Sequence, residues 1–500
     1  MNLIANYTGQ LLVTLIGIMV LPVYIGYLGA ESFGLVGFFG VLTVWFGILD
    51  MGLTPAVSRQ MSSFTGGGIT LFEARSVLRS LEFLFFCVAF CIVVIVYAAS
   101  EWLATNWLTG ESLSAVVIQK TIVLMGFLVG FHFVANIYRS ALIGLQKHVL
   151  YNLIIIFIAC AKALGAVAVL RWYEPTVIAF FSWQIGMEIV SIGLLAASTY
   201  FSLRGKVKPV PNNFKALIKV KDFAGGMFLI TLLTLCLTQI DKVLLTKLTS
   251  LEEFGWYALA AIVSGAIYMA VTPITQTFYP RFVSYFVKSD HESLQQSLIS
   301  SSVILSSIVG SLSVFIIVYA PDFLLIWTDD EILTSKITTL VIFLTAANLL
   351  NALMYMPYQL LLSHGITRVT VIANSVSLFL LAPTFLLIVP IYGAMGAASI
   401  WLCFNAVYLV VMPRIIFKIV DYKIAPTWYI VGCVLPLSIA SLVALLSRQA
   451  FRLDWSSINQ ILYMGVCGIL AIALSSLSSK DVRQKLCEMS FFLNIKNIQQ

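Results

Sequence analysis

Apolar runs of about 20 residues, the length a helix needs to cross the hydrocarbon core of a bilayer, recur along the whole chain. Fourteen meet that criterion: 10–27, 34–54, 78–99, 116–138, 149–170, 177–198, 224–246, 256–278, 297–319, 337–361, 370–389, 393–412, 428–446 and 460–477. An open backbone in lipid leaves each unpaired amide several kcal/mol out of balance, so such runs must be helices. The pattern predicts an all-α integral membrane protein with about 14 transmembrane helices.

Composition agrees with this reading. Hydrophobic side chains make up 60% of the 500 residues, charged ones only 10%, and the mean hydropathy is +0.99. Soluble folds carry far more surface charge. The 13% of aromatic residues suits rings that mark the two membrane interfaces. The first 12 residues hold no Lys or Arg and no small-residue cleavage pattern follows, so the first run is expected to be an uncleaved span. Seven of the eight cysteines lie within apolar runs, which reads as small buried hydrophobes and indicates neither disulfides nor metal ligation.

Charge sets the orientation. With the N-terminus inside, 21 of the 29 basic residues fall in cytoplasmic segments and six in the opposite loops, where half of the 22 acidic residues lie. Lys and Arg accumulate on the cytoplasmic side, so both termini are expected to be cytoplasmic. The net charge of +7 then reports topology and contact with an anionic leaflet, with no sign of nucleic acid as a partner.

The longest connection, 200–222, carries two prolines and six basic residues. On either side of it the chain echoes itself at a spacing near 221. Phe33-Gly34 matches Phe254-Gly255, Pro55 matches Pro273, 95–107 matches 317–327, and Lys147 with Asn152 matches Arg368 with Asn374. Six helices separate the copies, so both enter the membrane from one side and should relate by a pseudo-two-fold along the membrane normal. The expected domains are a six-helix bundle at 1–199, a basic cytoplasmic linker at 200–222, a second six-helix bundle at 223–424, and helices thirteen and fourteen with a cytoplasmic tail at 425–500. No connection can house a soluble catalytic domain, and the chain has no HExxH, GxSxG, GxxxxGK[ST] or CxxC pattern. Neither an enzyme nor a cofactor is expected.

Ionisable groups inside the apolar runs are the candidates for chemistry, because at mid-bilayer each costs roughly 2.5–3.5 kcal/mol unless it meets a partner or a cavity. Lys162 in helix five and Glu188 in helix six lie about 11 and 14 residues from the hairpin turn, an axial offset of roughly 5 Å that two long side chains can close. They either pin the hairpin as a neutral pair, or Lys162 meets an anionic substrate while Glu188 tunes it or carries a proton. Asp241 and Lys242 are neighbours in helix seven and point about 100° apart, which leaves one to face a cavity while Lys242 snorkels. Asp50, ahead of Gly52 and Pro55, either satisfies amides freed by a helix break or takes part in ion coupling. Arg59, Arg139 and Arg281, with His132, fall near the cytoplasmic boundary, where they anchor the chain or line an inner mouth that attracts phosphate. Shifted by 221, Lys162 lands on Pro383 and Glu188 on Leu409. The scaffold is duplicated and its buried charges are not.

The opening of the chain, PVYIGYLGAESFGLVGF followed by LDMGLTPAVSR, and the start of the second half, LTQIDKVLLTKLTSLEEFGWYALA, resemble the bacterial polysaccharide flippase family that handles O-antigen and related repeat units. That family belongs to the multidrug, oligosaccharidyl-lipid and polysaccharide exporter superfamily. The resemblance implies two six-helix bundles around a central cavity, with two extra helices. It implies a substrate, an undecaprenyl-diphosphate-linked oligosaccharide, moved across the bacterial inner membrane by alternating access, and polysaccharide polymerase and chain-length proteins as partners beside membrane lipid. Asp241 matches an aspartate that the family commonly shows in helix seven. Lys162, Lys242 and the inner-mouth arginines Arg59, Arg139 and Arg281 would then supply positive charge, and Glu188, Asp241 or Asp50 would couple an ion. Two rivals are a cation-coupled multidrug antiporter, which the buried lysines oppose, and a membrane polysaccharide polymerase or ligase, which would carry a long extracytoplasmic loop.

Overall fold

A chain that must bury its backbone in hydrocarbon has to break its helices before they outrun the bilayer, and glycine and proline make those breaks here. The computed structural model describes residues 2–50, 53–65, 67–108, 110–204, 232–233, 235–366 and 368–478, with the side chains of 2–12, 14–15, 55, 56 and 59 outside the description. Among the described residues every regular element is helical, and 11 segments are long and apolar enough to cross a membrane. Two of the 11, Ile16–Asp50 and Arg368–Ile419, each hold two of the runs expected from sequence. The expected run 224–246 and the linker 200–222 lie largely outside the described residues. The chain forms two units, Met1–Leu259 with Asn374–Ala394, and Ala260–Ala373 with Met395–Gln500.

In the first unit, helix α1 (Asn2–Gly47) is 46 residues long. At 1.5 Å per residue that is about 70 Å, more than twice a hydrocarbon core. Gly29 interrupts it with φ 77° and ψ 162°, a conformation that L side chains rarely adopt. A 3-10 turn at Ile48–Asp50 leads into α2 (Leu53–Thr65). A capping box starts α3 (Leu71–Trp102): Glu73 N–H donates to Thr70 Oγ1 (3.2 Å) and Thr70 N–H to Glu73 Oε2 (2.8 Å). Then come α4 (Ala115–Gly144), α5 (His148–Trp172), α6 (Val177–Ser202) and α7 (235–248). Helix α4 is the buried centre, packed by α2, α3 and α6, while α5 lies on α1 and α6. The outer side of α5 exposes Leu153, Phe157 and Trp172, as expected of a face whose solvent is lipid.

Helix α8 (Leu251–Gly265) carries the second Phe-Gly pair to the first. A Cβ on Gly34 would strike the carbonyl of Leu251, and one on Gly255 would strike the carbonyl of Ala30. Ala30 and Leu251 stand at the same spacing of 221 as the two glycines. One turn on, a Cβ on Gly37 would lie 2.6 Å from that of its own counterpart, Ala258. Reciprocal contact of equivalent residues is the signature of a two-fold, so a local two-fold runs between α1 and α8. Carboxylates beside the two glycines hold nearby turns: Glu31 accepts from the N–H groups of Ser112 (2.9 Å) and Leu113 (3.1 Å), and Glu253 accepts from that of Ala394 (2.6 Å).

The second unit continues with α9 (Tyr268–Val287), α10 (His291–Val318), α11 (Ala320–Thr328), α12 (Glu331–Leu353), α13 (Tyr355–Ser363) and α14 (Arg368–Ile419). The expected run 337–361 is split at Met354, because Pro357 has no N–H for the Leu353 carbonyl. Gly393, at φ 55°, breaks the 52-residue α14. After α15 (Ala425–Thr427) a π-turn at Trp428–Val434 leads to α16 (Leu435–Ala450), and α17 (Ser457–Ser476) follows. Helix α10 is the centre of this unit, packed by α9, α12, α16 and α17. Its serines serve the π-turn: Ser306 donates to the Gly432 carbonyl (2.6 Å), and the buried Trp428 indole donates to Ser302 (2.9 Å). Arg448 of α16 pairs with Asp322 of α11 at 2.5 Å.

Adding one methyl group at the α1–α8 crossing meets backbone, which no rotamer relieves, so Gly34→Ala and Gly255→Ala should each cost about 1–3 kcal/mol. Gly40→Ala, in the same helix with open space around it, should be neutral or slightly stabilising. Thermal unfolding in detergent decides: equal midpoints for Gly34→Ala and Gly40→Ala would contradict the crossing.

Candidate functional site

The hairpin of α5 and α6 turns at residues 173–176, where the Thr176 hydroxyl caps α6 by accepting from Ala179 N–H (3.3 Å). Its register is fixed by the Trp183 indole, which donates to the Ala161 carbonyl (3.2 Å). That register sets Lys162 against Glu188, and their side chains form an ion pair through Nζ and Oε2. Glu188 is fully buried, at 0% exposure.

Two further groups reach the same carboxylate from α4. His132 Nδ1 and Arg139 Nη2 each lie 3.5 Å from Glu188 Oε1. His132, Asn136 and Arg139 sit at successive turns on one face of α4, with Arg139 Nη1 3.4 Å from both Asn136 Oδ1 and His132 Nε2. The sequence placed His132 and Arg139 near the cytoplasmic boundary without linking them to Glu188; packing of α4 on α6 sets both beside its carboxylate.

The charges do not cancel. One carboxylate faces a lysine, an arginine and an imidazole, so the cluster keeps at least one net positive charge. Arg139 Nε is buried without a hydrogen-bond partner among the described residues, and so is Ser191 Oγ, one turn beyond Glu188 on α6. The side chains of Lys162 and Arg139 remain 23% and 21% exposed. A buried carboxylate thus holds two basic side chains in place while part of each stays open. Such a site suits an anion that offers several oxygens, which guanidinium engages through a planar fork.

The other candidates fall elsewhere. Asp241 is buried at 6% exposure and accepts from the Tyr257 hydroxyl at 2.6 Å. Lys242 does not simply snorkel: its flexible stem curls back, placing Nζ 3.4 Å from the Asp241 carboxylate and 3.3 Å from the Thr238 carbonyl. Asp50 accepts from Thr54 N–H (3.1 Å) and from the Thr54 hydroxyl, so it ties the end of the 3-10 turn to the first turn of α2. Arg59 lies in α2, its side chain outside the description. Arg281 belongs to the second unit, exposed, with its guanidinium 5.2 Å from the Phe278 ring centroid. Glu82 was passed over in the sequence. The Tyr200 hydroxyl donates to its carboxylate, 2.8 Å from both oxygens, and Tyr138 bonds it as well, which ties α3, α4 and α6 together.

Known proteins resemble this chain in sequence and in fold. The family model described as "Polysaccharide biosynthesis protein" matches residues 1–286. A Shigella flexneri protein named "Putative O-antigen transporter" is 22% identical over 400 residues, which span 80% of this chain and 93% of that protein. Among solved structures, the lipid II flippase MurJ in an inward closed conformation superposes with a TM-score of 0.68 at 13% identity, covering 95% of this chain and 97% of its own. An inward-facing multidrug resistance MATE family transporter of the MOP superfamily superposes with a TM-score of 0.66 at 12% identity, covering 82% and 96%. At these identities the two structures establish a shared fold.

Removing one partner from a buried ion pair leaves the other charge uncompensated, at a cost of about 3–5 kcal/mol. Glu188→Ala should therefore lower the unfolding midpoint and the amount of protein in the membrane. Adding Lys162→Met to that variant should recover part of the loss, with Arg139 keeping the remainder. A Glu188→Ala protein as stable as the parent would show that the carboxylate does not hold the cluster.

Proposed function

This chain belongs to the polysaccharide biosynthesis protein family, and we propose that it flips an undecaprenyl-diphosphate-linked oligosaccharide, an O-antigen or similar repeat unit, from the cytoplasmic to the periplasmic leaflet of the bacterial inner membrane. The observation that carries this reading is the surplus of positive charge that Glu188 holds among α4, α5 and α6. A lipid diphosphate cannot enter hydrocarbon with its charge unmet. Arg139 and Lys162 offer that charge without conformational search, because Glu188 already orients both. At an effective dielectric of about 20, each close pair of unit charges contributes about 4 kcal/mol at 4 Å, enough for a diphosphate to compete with the carboxylate for its cations. The named relatives are two transporters and a flippase, and none is an enzyme.

In this proposal the chain crosses the membrane fourteen times, as two six-helix bundles and two C-terminal helices with both termini cytoplasmic. Rocking of the bundles alternates access. Arg59, Arg281 and Lys242 add positive charge along the path, Glu188 and Asp241 are the carboxylates through which a proton or sodium gradient would act, and Asp50 is assigned to holding the helix break. Polymerase and chain-length proteins would consume the product.

Two measurements test the proposal. In proteoliposomes with a fluorescent polyprenyl-diphosphate saccharide, the parent should expose the probe to the opposite leaflet, and Arg139→Ala and Lys162→Ala, matched for abundance, should each slow this at least tenfold, about 1.4 kcal/mol of lost binding. Unchanged rates in both variants would refute the role of the cluster. For topology, a cysteine placed at Glu111 should react with an impermeant maleimide added outside and one at Lys423 should not; the reverse pattern would invert the orientation.

A further inference from the structure

The second unit holds a buried polar network of a different kind. Asn348 and Asn351 are one turn apart on α12, Tyr268 opens α9, and Asn405 lies in α14. The Tyr268 hydroxyl is 3.1 Å from Asn351 Oδ1 and 3.4 Å from Asn348 Oδ1. Asn348 Nδ2 donates to Ser264 Oγ (3.3 Å), Asn351 Nδ2 to Asn405 Oδ1 (3.0 Å), and Asn405 Nδ2 to the Trp401 carbonyl (2.8 Å). No Lys, Arg, Asp or Glu occurs in 254–280, 337–367 or 369–413, so the segments that build the network are uncharged.

Its members differ in how far they are satisfied. Asn405, at 1% exposure, is closed off, with its carbonyl and one N–H engaged, and serves as the anchor. Among the described residues, Asn348 and Asn351 each spend one of two N–H groups, and the phenol of Tyr268 has one proton to share between two carbonyls, with its own lone pairs open. These three residues are only partly buried. An amide turned to lipid is costly, so their open sides belong on a polar path. Beside them, the Tyr268 and Tyr355 rings lie 6.1 Å apart at 50°. Fixed amide donors and acceptors next to aromatic faces, with no ionic charge, match a neutral ligand that carries hydroxyls on an apolar frame.

We propose that Tyr268, Asn348 and Asn351, braced by Asn405 and flanked by Tyr355, form a saccharide-binding subsite that reads the sugar part of the transported lipid. The inference rests on the flippase reading for its physiological ligand, and the cationic cluster of the first unit is assigned to the diphosphate. An Asn–Tyr network that merely ties helices together through interhelical hydrogen bonds is the competing account.

The test uses the intact protein in detergent and the free oligosaccharide released from the surface polysaccharide of the producing cells, which lacks lipid and phosphate. By saturation-transfer NMR the parent should bind it, Asn351→Ala and Tyr268→Phe should weaken binding at least tenfold, and Gly40→Ala should leave it within about twofold, tenfold being about 1.4 kcal/mol. In proteoliposomes the same Asn351→Ala should slow the oligosaccharide lipid and spare a polyprenyl diphosphate bearing one sugar. No binding by the parent, or equal binding by the parent and Asn351→Ala, overturns the subsite. Normal glycan binding with no flipping of either lipid by the parent would sink the flippase reading and leave the subsite standing.

Discussion

A carboxylate with no exposure, inside a membrane protein, has to be neutralised by something fixed, and that requirement organises the first unit. Glu188 draws Lys162 from α5 and His132 and Arg139 from α4. Three helices are thereby held at one depth by a single acidic group. The arrangement is over-compensated, since two basic side chains and an imidazole meet one carboxylate. Ion pairs that serve stability alone have no use for the surplus, and replacing them by apolar residues is often neutral or better. A surplus retained despite its cost fits a group that is charged, arrives and leaves.

The sequence echo at a spacing of 221 has a local physical counterpart where α1 meets α8. Gly34 and Gly255 let the backbones of α1 and α8 approach until a Cβ on either would meet the other's carbonyl. Small residues at a membrane helix crossing replace hydrophobic drive with close packing. Between the two units the chemistry is distributed unequally. Charged clusters occupy the first unit at Glu188 and Asp241, and the second unit holds, beside the Arg448–Asp322 pair, an uncharged network of amides and phenols. A substrate with an anionic end and a sugar end would explain why duplication of the frame was not followed by duplication of the side chains.

Much of this could be read from the sequence because lipid punishes exceptions. Lys162 and Glu188 stood out as ions in apolar runs, and counting from the hairpin turn set them within reach. The placement of Asp50 before Gly52 and Pro55 marked an expected break, and its bonds to Thr54 tie the 3-10 turn there to the first turn of α2. Arg139 and His132 were not joined to Glu188, because which face of α4 packs on α6 is a tertiary matter; the polar stripe His132, Asn136, Arg139 in an apolar helix was the available signal. For Lys242 the 100° rule misled, since the direction of a Cβ does not bound the reach of four methylenes. The Asn348–Asn351–Asn405 network was invisible, as an asparagine in a membrane helix carries no charge to betray it and its partners are distant in sequence.

The claim on which the rest turns is that the charge surplus around Glu188 exists to hold a diphosphate. Affinity measured by thermophoresis for a short-chain polyprenyl diphosphate and for the corresponding uncharged polyprenol tests it without sugar, gradient or transport. The account predicts that the parent prefers the diphosphate by at least tenfold, about 1.4 kcal/mol, and that Arg139→Gln with Lys162→Gln abolishes the preference while binding of the alcohol is unchanged. A preference that survives the double substitution would place the anion site elsewhere and leave the Glu188 cluster as structure alone.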